Sequence, residues 1–369
     1  MIALRPASLF LLFTFCSVAA AAQPTLTTRE VATGLDTPWE ILWGPDDHIW
    51  MTERYGRISR VNPANGQVMP LLTIDDVHEV SEAGLMGMAL YPAFEDTSWV
   101  FVAYNYFDQG IKVRIARYDY ADDQLTNPLI LLDGIAGSAI HNGCRLIFLP
   151  DNTLLITTGD AGNTQTPQDH SSLNGKVLRM TAEGEIPANN PFPGNNLWSK
   201  GHRNAQGLVL AKGLVYSSEH GPNSDDELNI IYSGRNYGWP DVNGFCNEPA
   251  EIIFCNDSDV VEPVSAWTPT LAVAGIDYYG GWGIPEWHNS ILMTTLKASR
   301  LVQLKLNATA TDVEEENSFF AGNDSYGRLR DLCVSPDGRV FIATSNKDGR
   351  GSPGPDDDMI IEISGTAPG

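Results

Sequence analysis

Ile41-Leu42-Trp43-Gly44-Pro45-Asp46-Asp47-His48-Ile49-Trp50-Met51-Thr52 is the stretch on which the reading of the fold turns. Apolar residues flank a Gly-Pro-Asp-Asp turn, and β-branched and aromatic side chains of this kind suit a pleated, buried surface. The pattern returns at Leu146-Ile147-Phe148-Leu149-Pro150-Asp151-Asn152-Thr153-Leu154-Leu155-Ile156-Thr157 and again at Leu332-Cys333-Val334-Ser335-Pro336-Asp337-Gly338-Arg339-Val340-Phe341-Ile342-Ala343. Weaker copies at Gly87 to Tyr104, Gly207 to Ser218 and Gly281 to Thr295 bring the number to six. The unit recurs at about 50 to 60 residues. Sheets that cannot bury both faces alone stack radially around a channel. The expectation is an all-β chain, a six-bladed β-propeller of four-stranded antiparallel sheets, forming one domain over residues 23–369. Thr25 to Leu35 is expected as an outer strand that closes the ring against the last unit, which ends near Ile363. A tandem β-sandwich is the structural alternative. The 34 glycines and 23 prolines favour strands and tight turns over long helices.

Residues 1–22 read as a signal peptide: Arg5 precedes the apolar run Leu9 to Phe15 and the small residues Ala19 to Ala22. Cleavage is expected near Gln23, giving a periplasmic or secreted protein. No later segment approaches the roughly 20 apolar residues of a membrane span. The chain carries a net charge of −23, which argues against a nucleic-acid partner. Dispersed carboxylates of this kind usually form a solvated face. Cys246 and Cys255 flank one short loop and are expected to form a local disulfide. Cys144 and Cys333 lie in apolar strand patterns and read as buried thiols.

Loops at one rim of a propeller converge although they lie far apart in sequence. Directly ahead of the third unit stands Ile140-His141-Asn142-Gly143-Cys144-Arg145, where His141 has the acid-base range to take a proton from a substrate hydroxyl. Gly201-His202-Arg203-Asn204-Ala205-Gln206 places the permanent charge of Arg203 ahead of another apolar strand. Glu219-His220-Gly221-Pro222-Asn223-Ser224-Asp225-Asp226-Glu227, with Tyr237 and Trp239 beyond it, offers the carbonyl and carboxylate oxygens that calcium prefers, or simply an acidic solvated loop. Lys297, Arg328 and Arg330 stand on channel-facing edges and suit an anionic ligand such as a polycarboxylate, or pairing with neighbouring acids. Alternate residues of a strand share a face, so Arg328 and Arg330 are expected to point the same way.

From about Pro38 to Ile363 the chain resembles the soluble pyrroloquinoline quinone (PQQ) dehydrogenases, the six-bladed glucose and aldose sugar dehydrogenase family. The likeness rests on Pro38-Trp39, Gly84-Leu85-Met86-Gly87, His141 to Leu146, Gly175-Lys176-Val177-Leu178-Arg179, Gly201-His202-Arg203-Asn204, Gly221 to Glu227, Asn236-Tyr237-Gly238-Trp239-Pro240 and Arg328-Leu329-Arg330-Asp331, in that order. The resemblance implies oxidation of the anomeric carbon of aldose sugars to aldonolactones, with His141 as general base and PQQ as hydride acceptor. It implies that Arg203 and Asn204 stabilise charge on the quinone oxygen, and that Gln165, Lys297, Arg328 and Arg330 bind the cofactor. The carbonyls of Gly221 and Pro222 are implied to hold a Ca2+ ion that also ligates PQQ, and Asp226, Glu227 and Tyr237 a further, structural calcium. Glu82, where many members carry Gln, is expected beside the substrate, with Trp267 and Tyr279 as candidates to line the sugar pocket. Ile140 stands where glucose-oxidising members place an acid, and the pocket loops are shorter, which favours the broad-specificity aldose branch. Electrons would leave through an external acceptor, and a monomer or homodimer is expected. A calcium-dependent propeller lactonase or esterase, in which metal and His141 activate water, is the rival enzyme reading. A non-catalytic binding propeller is the rival from outside enzymology.

Overall fold

The Pro-Asp turns join the first two strands of four-stranded antiparallel sheets, and six such sheets account for the strands of residues 23–365, the part that the computed structural model describes. The signal segment expected at 1–22 lies outside the described residues. The innermost strands are Pro38–Trp43, Leu85–Leu90, Gly143–Phe148, Ala205–Ala211, Val273–Tyr279 and Leu329–Val334, which begin blades one to six. Blade six takes its outer strand from the other end of the chain. Leu26–Ala32 pairs antiparallel with Ile360–Gly365, Thr28 opposite Ile363, and the ring closes as the sequence led us to expect.

The copy at Gly281 to Thr295 marks blade five late. Its inner strand, Val273–Tyr279, lies before that stretch, and the connection to Ser290–Thr295 runs through the 3-10 turn Pro285–Trp287. Trp287 is fully buried there, so the longer connection is itself part of the core.

Burial is organised blade against blade. Six apolar clusters occupy the six interfaces between neighbouring sheets, from Trp50 with Tyr104 between blades one and two round to Met51 with Phe341 between six and one. Cys144 belongs to the interface of blades two and three and Cys333 to that of six and one, so both are buried free thiols. Cys246 and Cys255 are bridged.

Inner strands of adjacent blades are not paired as a ladder, yet their buried backbone groups need partners. Side chains supply several. Asp277 accepts from the Val334 amide at 3.0 Å, Asp331 from Ile41 at 2.7 Å and Glu40 from Met88 at 3.3 Å. Thr157 and Ser218 donate across to the carbonyls of Ala205 and Ala274.

All six inner strands also lose register at their first residues, at Pro38/Glu40, Leu85/Met88, Gly143/Leu146, Ala205/Gly207, Val273/Ile276 and Leu329/Asp331. A bulge bends a strand and re-aims the side chains within it. Trp39, Gln206 and Arg330 stand at these irregularities, around one end of the channel.

Candidate active site

Successive antiparallel strands alternate in direction. Loops that enter an inner strand therefore share a rim with loops that join a second strand to a third. That rim carries Glu82, His141, Arg203, Asn204, Arg328 and Arg330 from the first kind of loop and its strand entry. Asp160, Gln165, Gly221, Pro222, Lys297, Asp348 and Arg350 come from the second kind. A narrow cleft there is lined by Trp39, Glu82, Asn142, Gln206, His220, Arg328, Arg330 and Arg350. His220 also borders a neighbouring hollow with Arg203, Glu219, Gly221, Glu227, Tyr237 and Trp239.

His141 is held from three sides. Its backbone lies in the left-handed region at φ 55°, an uncommon conformation for a residue with a side chain. A Cβ on Gly159 would stand 1.9 Å from the His141 carbonyl oxygen, so only glycine allows the neighbouring chain to pass. Its amide donates to Glu82 at 3.2 Å, and its Nδ1 lies 2.8 Å from Asp160 Oδ1. Asp160 also accepts from the Gly162 amide at 2.7 Å and from the Trp239 indole at 2.9 Å. Burial works to raise this carboxyl, but those hydrogen bonds and the imidazole outweigh it and keep the group below its ordinary range. An ionised Asp160 fixes the proton on Nδ1 and leaves the Nε2 lone pair as the acceptor.

Arg203 lies over the Trp239 ring, 5.4 Å from its centroid, and donates to the His220 carbonyl at 3.2 Å. Burial lowers its affinity for its proton, though it stays a cation. The Asn204 amide oxygen accepts from Gly143 at 3.2 Å and from Gln206 Nε2 at 3.0 Å, which commits it and fixes the amide's orientation. Its Nδ2 is buried without a partner. Arg330 donates from Nη1 to Gln206 at 2.9 Å and keeps an unpartnered Nε. Burial brings its pKa down to about 10. Buried donors without acceptors are costly, and a ligand rich in acceptor oxygens relieves that cost.

Two of the other cations are ion-paired. Arg328 meets Asp348 at 2.7 Å and Arg350 meets Glu82 at 2.8 Å. Arg328 and Arg330 do line the same cleft, but through the register shift after Leu329 and not through plain alternation. Lys297 is exposed and donates to Thr270 at 2.9 Å, next to Leu296, whose carbonyl accepts from Arg328. Gln165 is exposed on the turn after Asn163.

For calcium the donors are oxygens, as that hard cation requires. A Cβ on Gly221 would fall 1.9 Å from the Ser224 carbonyl oxygen, a tight turn that leaves the Gly221 and Pro222 carbonyls without hydrogen bonds among the described residues. Glu227 is pushed up to about 8, by burial first and then by the charge of Glu219, so a cation beside it would relieve both. Asp226 and Tyr237 are otherwise engaged. Asp226 accepts from Gly221 and Ala272 amides at 2.9 and 2.6 Å, and the Tyr237 hydroxyl bonds Ile230 and Tyr232 at 2.6 and 2.7 Å. Among the described residues no three His, Cys, Asp or Glu side chains group around a metal position. The backbone turn fits the ion; the carboxylates of Asp226 and of Glu227, which accepts from Gly244 and Asn229 at 2.8 Å, and the Tyr237 hydroxyl also hold bonds within the fold.

Trp267 and Tyr279 are not brought to the cleft. Trp267 lies on the outermost strand of blade four and donates to Glu316 at 2.9 Å, while Tyr279 is buried towards the opposite end, bonded to the Gly338 carbonyl at 2.7 Å. The wider cavity, about 740 Å³, opens at that opposite end. Arg145 floors it, ion-paired with Glu40 at 2.5 Å and Asp331 at 2.9 Å, and none of the expected site residues lines it.

The family described as Glucose / Sorbosone dehydrogenase matches residues 35–353 of the chain. Quinoprotein glucose dehydrogenase B of Acinetobacter calcoaceticus is 30% identical, over 90% of this chain and 87% of that protein. Aldose sugar dehydrogenase YliI of Escherichia coli is 29% identical, over 93% of this chain and 96% of its own length. The PQQ-bound aldose sugar dehydrogenase of Streptomyces coelicolor superposes with a TM-score of 0.82 at 34% identity, covering 94% of this chain and 99% of that one.

Proposed function

From the premise that this chain belongs to the glucose/sorbosone dehydrogenase family, we propose that it is a PQQ-dependent oxidoreductase that oxidises aldose sugars at the anomeric carbon to aldonolactones. One observation carries the reading: a carboxylate-oriented imidazole, His141, shares a rim with buried donors of Asn204 and Arg330 that have no acceptor.

PQQ, when bound, supplies the hydride acceptor, which no side chain provides. His141 Nε2 takes the proton of the anomeric hydroxyl, and Asp160 holds the ring and stabilises the imidazolium that results. Arg203 and the free Nδ2 of Asn204 present positive charge and a donor where negative charge grows, before it grows, so no reorganisation opposes the step. Arg330 and Arg328, with Lys297 from the neighbouring loop and Gln165 at the mouth, bind the cofactor's acidic edge. The Gly221 and Pro222 carbonyls would hold the calcium that also ligates PQQ, and Asp226, Glu227 and Tyr237 a further, structural calcium. Glu82, which lines the cleft, and His141, whose amide donates to it, would form the sugar side. The Cys246–Cys255 bridge supports work in an oxidising compartment, periplasmic or secreted.

Purified protein loaded with PQQ and calcium should bleach a dye acceptor when an aldose is added. Absence of any sugar-dependent bleaching at saturating cofactor overturns the proposal.

A further inference from the structure

The sugar reaction releases two electrons and two protons, the electron pair and one proton as hydride from the C–H and the other proton from the O–H, and the electrons must leave the protein. We infer that the disulfide-stapled helix Pro249–Ser258 is the docking surface for a small, basic, one-electron carrier protein; this rests on the oxidoreductase reading above.

The helix stands in the long connection between the third and fourth strands of blade four. It buries none of its residues. Ile253 is 63% exposed, Ile252 44% and Phe245, in the adjoining loop, 40%. Three large apolar side chains left this exposed on one short helix and its adjoining loop, in a protein of net charge −23, ask for a partner. Around it stand Glu248, Asp257 and Asp259, all exposed. The nearby basic group, Arg235, is already paired with Asp259 at 3.0 Å. Exposed apolar side chains flanked by the exposed carboxylates of Glu248 and Asp257 are complementary to a carrier that presents lysines around an apolar redox edge.

The same connection reaches the site. Trp239 donates to Asp160 and stacks under Arg203, and six residues further on the loop enters the exposed patch. Gly244 is anchored to Glu227 at 2.8 Å, and Asn243 to Ser224 and Asp225 at 3.0 Å. The Cys246–Cys255 bridge then ties helix to loop, so the surface is built before any partner arrives. Electron-transfer contacts are small, under about 1,200 Å² in total, and a short helix with its flanking loop is of that scale. Two carriers take one electron each in turn, and the two protons pass to water.

The test uses PQQ- and calcium-loaded enzyme, saturating aldose, a strongly basic cytochrome c, the same cytochrome succinylated on its lysines, and a neutral ferrocene dye. The basic cytochrome should be reduced at least tenfold faster than the succinylated form at low salt, with the advantage falling as ionic strength rises. The variants Ile253→Ser and Asp257→Lys should each slow cytochrome reduction several-fold and leave dye reduction unchanged. Equal rates for parent and both variants with the basic cytochrome, or a faster succinylated form, overturn the docking surface while normal dye reduction leaves the enzymatic reading standing. No dye reduction by the parent overturns both.

Discussion

A base must keep one ring nitrogen free while the other is held, and the contact of His141 Nδ1 with Asp160 at 2.8 Å meets that requirement. His141→Ala should therefore cut turnover by roughly a hundredfold or more with PQQ still bound. Asp160→Asn keeps the shape but gives Nδ1 an amide that need not fix its proton. We expect a fall in kcat of at least about tenfold and a displaced pH–rate profile, with cofactor binding retained. An unchanged kcat and profile in Asp160→Asn would take the carboxylate out of the mechanism. His141 was legible because an imidazole among small residues stands out directly ahead of a strand. Asp160 was not, since Gly159-Asp160-Ala161-Gly162 reads as an ordinary turn and only the folded ring lays it against the imidazole. For the cations the ordinary alternative also holds in part: Arg328 pairs with an acid, whereas Arg330 meets the Gln206 amide and the Trp39 ring.

At the scale of elements, the inner strands are fastened to their neighbours by single buried side chains, and Asp277 shows the cost. It stands half-buried on the wall of the wide cavity, accepts from the Tyr278 and Val334 amides, and desolvation drives its pKa up to about 7. Between about pH 4, where an unfolded Asp loses its proton, and about 7, the folded chain binds the proton that the unfolded chain has released. Stability from this group is therefore present at low pH and lost as pH rises through that window. Asp277→Asn should remove that slope, so that Tm of parent and variant converge or cross between pH 8 and 5. Parallel curves would show that Asp277 does not titrate there. The strands themselves follow from short apolar runs between turns, but their entry bulges do not, because a register shift is decided by the pairing strand. The helix Pro249–Ser258 escaped the sequence reading for a related reason: it buries nothing, so it carries no apolar stripe, and its signals are Pro249 and the Glu251 carboxylate that accepts from the Glu248 amide.

For the whole molecule, closure is the decisive event. Strand Leu26–Ala32 completes blade six, and Val31, Ala32 and Leu35 are buried in the interface with blade one. A chain lacking residues 23–35 should leave Ile360–Gly365 as an open edge, lower the urea midpoint and aggregate on light scattering. A truncated chain with the parent's midpoint would mean that the ring holds without its clasp. The amino-acid sequence alone determined the number of blades, the closing strand, the disulfide and the chemical character of the rim loops, because turn chemistry and apolar alternation act over a dozen residues at most. Which loops share a rim follows from strand count. Only the tertiary structure decided that Asp160 meets His141, that Gln206 joins Asn204 to Arg330, and that Trp267 and Tyr279 stay away from the cleft. Those contacts depend on bulges and blade stacking, whose energies come from surfaces far apart in the chain.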